Sequence, residues 1–171
     1  MENFSIRKAV WEDLNNILKI KKEAHRLYVE ERPDVYKESE TLYTERFLKS
    51  FFKNDQKVIL VAIIDDEIVA YGFLECMMVS LPMMVVRQYA YIHDFAVSEE
   101  YRRQGIATRL LDYIEDYAMR NGASRIELAV HLFSKEAISL YEKFGFSPRA
   151  IRMEKELKSK NSDQQAPDDE T

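Results

Sequence analysis

Phe95–Thr108, FAVSEEYRRQGIAT, carries the chain from the end of an apolar strand, through a polar loop, into a long helix. The strand closes on Tyr91-Ile92-His93-Asp94-Phe95-Ala96-Val97. The helix is expected from Gly105 to Asn121, because Ile106, Leu110, Ile114 and Ala118 recur at a spacing that gathers apolar side chains on one face. Arg109, Asp112, Glu115, Asp116 and Arg120 take the other side. The first turn of a helix has unpaired N–H groups and the positive end of the dipole, so such a junction attracts a phosphate. Gly105 has no Cβ to keep an anion from the backbone, Ala107 leaves the same approach open, and Arg102 and Arg103 add local positive charge. The stretch lacks both GxxxxGK[ST] and GxGxxG. By itself it reads equally as an anion cradle or as a polar loop with two solvated arginines.

Working outward, Phe4–Lys8 alternates and reads as a first strand, followed by a helix from about Asp13 to Val29 with Leu14, Ile17, Ile20, Ala24 and Leu27 inward. Arg32-Pro33-Asp34 breaks it. A second helix is expected over Thr41–Asn54. Lys57–Ile64 and Ile68–Val79 are rich in β-branched and aromatic residues around the turn Asp65-Asp66-Glu67, which makes them a hairpin. Beyond the long helix come a strand over Arg125–Val130, a helix over Lys135–Lys143, and strand material at Phe146–Ser147 and Ile151–Leu157. The order β-α-α-β-β-β-α-β-α-β mixes hairpins with β-α-β crossovers. It implies an α/β chain with a mixed sheet and helices on both faces.

The chain has 171 residues, with 46% hydrophobic and 32% charged side chains, which suits one soluble domain. Residues 1–157 are expected to form that domain, and 158–171, which lack any large apolar side chain, an acidic flexible tail. Glycine is scarce: four, where average usage would give roughly twelve. Gly122 and Gly145 fall where helices should stop, and Gly72 lies inside a strand, where glycine marks a bulge or a close approach. A net charge of -5 argues against a nucleic-acid surface. The lone Cys76 can make neither an internal disulfide nor a zinc knuckle, so no metal is expected and a reduced, cytoplasmic setting fits. The N-terminus lacks the pattern of a secretory leader, and the apolar runs are too short to span a bilayer.

Arg-x-x-Gly-x-Ala after a strand ending in Phe-Ala-Val resembles the acetyl-CoA signature of the GCN5-related N-acetyltransferases (GNAT). Ser134-Lys-Glu-Ala-Ile-Ser-Leu-Tyr141-Glu-Lys-Phe-Gly145-Phe146 is similar to a second segment of that family, and the two stand in the family's order. One departure is Ser134, where the family usually has asparagine. The resemblance covers about residues 4 to 157 and implies the GNAT fold and an acetyl-CoA-dependent N-acetyltransferase. It implies that the coenzyme pyrophosphate sits on the N–H groups of Arg103, Gln104, Gly105, Ile106, Ala107 and Thr108, beside Arg102, with Ser134 near the cofactor. The pantetheine arm would run along Phe95, Ala96 and Val97, where that strand splays from Arg125–Val130. A main-chain N–H near Phe95 or Ala96 would polarise the thioester carbonyl.

The resemblance also makes Tyr141 the acid that protonates the leaving thiolate. For the base, His-x-Phe-Ala-Val at His93 is similar to the arylalkylamine acetyltransferases, and an imidazole titrates near neutrality. A structural His93 with water as base is an equal reading. Strand alternation puts Tyr91, His93 and Phe95 on one face and Asp94 on the other, unless a bulge intervenes. His25 and His131 read as structural. Tyr28–Glu40, with Glu30, Glu31, Asp34, Glu38 and Glu40, should border the acceptor slot. The acceptor is expected to be a primary amine of a small molecule, peptide or protein N-terminus, with no nucleic-acid or membrane partner; a homodimer is compatible with the sequence. The alternatives are a non-catalytic coenzyme A sensor or interaction domain, and a relative that uses a longer acyl-CoA.

Overall fold

The computed structural model describes residues 3–157. Five strands form one sheet in the order β1 (Phe4–Lys8), β2 (Lys57–Ile64), β3 (Glu67–Val79), β4 (Arg87–Val97), β5 (Ile126–Leu128). All neighbours pair antiparallel except β4 and β5, which are parallel. Among the described residues four α-helices complete the fold: α1 (Leu14–Glu31), α2 (Glu45–Lys53), α3 (Ile106–Arg120) and α4 (Lys135–Lys143). The α1 and α3 boundaries fall within two residues of those expected. Helix α2 starts later because Thr44, in extended conformation, caps it by accepting the Phe47 N–H.

Each face of the sheet has its own core. On one side α3 places Ile106, Leu110, Leu111, Ile114 and Ala118 against Leu60, Ala62, Leu74 and Ile92, with Leu140, Tyr141 and Phe144 of α4 at the margin. On the other, Leu14, Ile17 and Ile20 of α1 and Leu48 and Phe51 of α2 cover Ile59, Val61, Tyr71 and Phe73. Helices therefore lie on both faces, as the mixed element order requires. A fully buried Leu or Ile contributes about 1.5–3 kcal/mol, so β2 and β3, covered on both sides, anchor the sheet.

One expectation fails. Residues 146–157 form no strand, although Ile151, Met153 and Leu157 alternate. All three are more than four-fifths exposed. An alternating pattern becomes a strand only where a neighbour accepts its hydrogen bonds, β5 is three residues long, and Pro148 lacks an N–H to give. The segment is tied down by side chains instead, through Arg149 to Glu127 and Glu154 to Arg32. The proposed tail, 158–171, lies outside the described residues.

Gly122 and Gly145 end α3 and α4 with φ of +80° and +98°, giving their N–H groups to Met119 and Glu142. Gly72 is a close-approach position: a Cβ there would lie 3.0 Å from Cδ1 of Ile114 and 3.6 Å from the Phe95 ring. Replacing Gly72 with valine should destabilise the chain by about 1–3 kcal/mol through overpacking, read as a lower melting temperature. Alanine should cost less, because the Ile114 methyl can yield; an unchanged melt for the valine variant would refute the close contact.

Candidate active site

The site is set by how β4 ends. Its parallel pairing with β5 spans only Ala90 to Ile92 opposite Ile126 to Leu128, while β4 continues to Val97. Past Ile92 no strand pairs with β4 on that side among the described residues, and this unpaired stretch is the gap. Ser98 gives its N–H to Val69 on β3, so by alternation Ala96 also faces β3, and Phe95 and Val97 turn their main-chain groups to the gap. Of these, the Phe95 N–H donates to Asp94 Oδ1 at 2.9 Å and the Val97 carbonyl accepts from Arg102 Nε at 3.2 Å. The N–H groups of Phe95 and Val97 thus face the gap, that of Phe95 engaged by Asp94, and the Ala96 N–H points away.

A bulge sets the side chains. Phe73 pairs with Asp94 but Leu74 pairs with Ile92, leaving His93 as an extra residue. Strict alternation is broken, and the expected grouping of His93 with Phe95 against Asp94 is corrected. His93 lies with its ring against Phe47 and Phe51 on the α1–α2 face. Asp94 faces the same side, bound to Lys21 and Tyr43. Phe95 takes the α3–α4 side, its ring 6.4 Å from that of Tyr141.

The loop after β4 makes one 3₁₀ turn at Glu99–Tyr101. Arg103 (φ +63°) and Gly105 (φ +80°) are both left-handed, a geometry that turns successive N–H groups toward one point. Nothing lies within 4 Å of where a Gly105 Cβ would stand. The first N–H of the helix to reach a carbonyl is that of Arg109, 3.1 Å from Gly105 O, so the preceding N–H groups are available to an anion. Arg102 is tied to Val97 and Gln104 to Glu100, which shapes the loop. Ile106 sends its side chain into the core and presents only backbone, while Ala107 is half-buried and Thr108 exposed.

Tyr141 and Ser134 frame the other wall. The Tyr141 phenol is pushed well above the ordinary tyrosine range, first by burial and then by Tyr28 and Asp94, so it stays protonated. Ser134 is buried at the start of α4, its N–H on His131 O and its carbonyl accepting from Ile138. Its side chain makes no capping bond to the first turn of α4.

Sequence reasoning missed the polar centre beneath this gap. Asp94 binds Lys21 Nζ at 2.7 Å, the Tyr43 hydroxyl and the Phe95 N–H. The Tyr43 hydroxyl also meets that of Tyr71 at 3.4 Å. Burial raises both phenols strongly, with Asp94 adding to each. No pattern in the sequence pointed to Lys21, which the helical spacing put off the apolar face of α1; a position beside HDFAV was the one available signal for Asp94.

His93 Nε2 lies 2.7 Å from Glu75 Oε2, and Lys57 lies 3.5 Å from the same oxygen. His25 bonds to Lys37 O. His131 bonds to the Tyr36 hydroxyl at 2.9 Å and, with Tyr28 and Phe133, forms an aromatic wall. That wall joins the loop that follows β5 to the segment between α1 and α2. Its acidic residues are partly spoken for, since Glu40 pairs with Lys22 and Asp34 with Arg32. Burial and Glu75 raise the Cys76 thiol, which keeps it protonated. Among the described residues no group of three or more His, Cys, Asp or Glu is placed to hold a metal, and no helix is long and apolar enough to cross a membrane.

Residues 21–146 match the model of the "Acetyltransferase (GNAT) family". The chain belongs to that family. Membership places it among the N-acetyltransferases. An N-alpha-acetyltransferase of Saccharolobus solfataricus is 33% identical over 84% of this chain and 80% of its own. The uncharacterised N-acetyltransferase MJ1207 of Methanocaldococcus jannaschii is 25% identical over 88% of this chain; the match spans 64% of that protein's length. Among solved structures, a mutant of the BH1408 protein of Bacillus halodurans superposes with a TM-score of 0.85 at 26% identity, covering 90% of this chain and 99% of that one. The aminoglycoside N-acetyltransferase AAC(6')-Iy in complex with CoA shares the fold, with a TM-score of 0.66 at 12% identity over 90% of this GNAT chain and all of its own.

The buried phenols give this GNAT domain an alkaline limit. Tyr43, Tyr71 and Tyr141 hold their protons more tightly folded than unfolded. Their contribution is complete below the unfolded value near 10 and is lost as pH rises above it. Urea melts should show stability falling from about pH 10 upward, and replacing Tyr43 and Tyr141 with phenylalanine should flatten that fall.

Proposed function

We propose that this chain transfers the acetyl group of acetyl-CoA to a primary amine by direct attack on the thioester. The observation that carries the reading is the gap along β4 past its pairing with β5, ending on the left-handed Arg103–Gly105 loop. A thioester arm fits the gap and a pyrophosphate fits the loop. The N–H groups of Arg103 to Thr108 hold the pyrophosphate, with Arg102 and Gln104 keeping the loop in shape. The arm pairs with the main chain of Phe95 and Val97, and Ser134 borders it. The Phe95 N–H, which faces the gap, exchanges Asp94 Oδ1 for the thioester carbonyl and polarises it.

Attack requires a neutral amine and a protonated leaving group. His93, oriented by Glu75, accepts the amine proton. Tyr141, kept protonated by burial, gives its proton to the departing coenzyme thiolate. The amide and free coenzyme A are the products. The resemblance to an N-alpha-acetyltransferase makes the α-amine of a peptide the first acceptor to try. A cytoplasmic setting fits the protonated, single Cys76.

The test follows thiol release from acetyl-CoA with a panel of peptides, polyamines and aminoglycosides. Release with at least one amine is expected, and Tyr141→Phe should lower kcat about 100-fold with little change in the KM for acetyl-CoA. No release with any amine, or an unaffected Tyr141→Phe enzyme, defeats the reading. In calorimetry, Gly105→Val should weaken acetyl-CoA binding at least about tenfold, because a side chain at φ +80° both strains the turn and fills the cradle. Undiminished affinity would move the pyrophosphate elsewhere.

A further inference from the structure

Strands β3 and β4 outrun the rest of the sheet. Lys57 pairs with Glu75 and the Cys76 N–H reaches Gln56 O at 2.7 Å. Beyond that point β3 has no strand on its outer side among the described residues. The projecting hairpin, Met77–Val86, reads MMVSLPMMVV. It holds four of the seven methionines and no charge, in a chain that is 32% charged. Met78 is 65% exposed, Met83 88%, Val85 85% and Val86 63%, with Met77 and Leu81 also exposed. From these exposures and ordinary residue sizes, the hairpin presents roughly 700 Å² of mostly apolar surface, more than a monomer usually leaves in one patch and close to the ~800 Å² each partner gives a standard interface.

The backbone matches the side chains. Because the Cys76 N–H points outward to Gln56, the N–H and C=O of Met78, two residues on, face the same open edge. Exposed edges are ordinarily blunted by charge or proline. Here the nearest charges are Glu75 and Arg87, and the first proline is Pro82 at the turn.

We propose that this hairpin is the interface between two copies of the chain, with their β3 edges antiparallel about a two-fold axis. Identical edges running antiparallel are self-complementary: the outward groups of Met78 on each copy meet strand groups of the other. The two apolar hairpins then cover each other. A second copy is the occupant that the area fits, since each copy supplies close to the surface that a standard interface needs from one side. It also brings a matching uncharged face, so the charge of -5 on each body stays outside the contact. Methionine side chains adapt to one another in such a contact. The gap lined by Phe95–Val97 lies at the opposite end of β4 from the hairpin, so both sites remain open.

Sedimentation velocity of the full chain at tens of micromolar tests this. Twice the 20.2 kDa chain mass is expected. Met83→Glu combined with Val85→Glu, both outside the strands, should raise the dimer dissociation constant at least tenfold without altering the thermal melt of the monomer. Met78→Glu, on the open edge, should act in the same direction. A monomeric wild-type chain, or a dimer indifferent to all three substitutions, overturns the proposal. So does a monomer that binds phosphatidylcholine vesicles through the hairpin, which would assign the surface to lipid.

Discussion

Opposite Phe73 and Leu74, β4 carries one residue too many, and His93 is pushed out of the ladder. Everything near the gap depends on this insertion. Without it Asp94 would turn to the α3 side, away from Lys21, Tyr43 and Tyr71, and an acidic group would be buried against Leu110 and Ile114. With it, His93 and Asp94 fall on the same face, where one finds Glu75 and the other finds a lysine and a phenol. Phe95 is left free to pack toward Tyr141.

Asp94 and the Phe95 N–H form the link between that bulge and the gap. A carboxylate that accepts from a lysine, a tyrosine and a backbone N–H is held rigidly, since charge-assisted bonds are the strong ones. The same carboxylate helps keep three phenols protonated. The architecture therefore couples α1, through Lys21, to the strand that lines the gap, and it does so with one partly buried ion pair. A helix that shifts at α1 would be felt at Phe95.

Much of the architecture was legible in the residues. The period of α3, the hairpin of β2 and β3, and the strand–loop–glycine–helix order are local patterns, and local patterns follow from side-chain spacing. Gly105 could be singled out because a chain with four glycines places few of them freely; its φ of +80° adds a backbone reason for glycine that the sequence did not show. The final strand was misread for the opposite reason: Ile151, Met153 and Leu157 alternate, but pairing depends on a partner that β5 is too short to be. The serine at the head of α4 has the right residue type for a cap, but its side chain makes no capping bond.

By itself the sequence determined the secondary elements as far as α4, the two-sided covering of the sheet, and the Arg-x-x-Gly-x-Ala junction with its family resemblance. These rest on spacing within short segments. Tertiary structure alone decided which face His93 and Asp94 share, that the Phe95 N–H rather than that of Ala96 turns to the gap, and that Lys21 reaches Asp94 across 73 positions of chain. A one-residue bulge reverses every orientation beyond it, and ion pairs between distant elements leave no periodic trace, so neither could be read before the strands were in register.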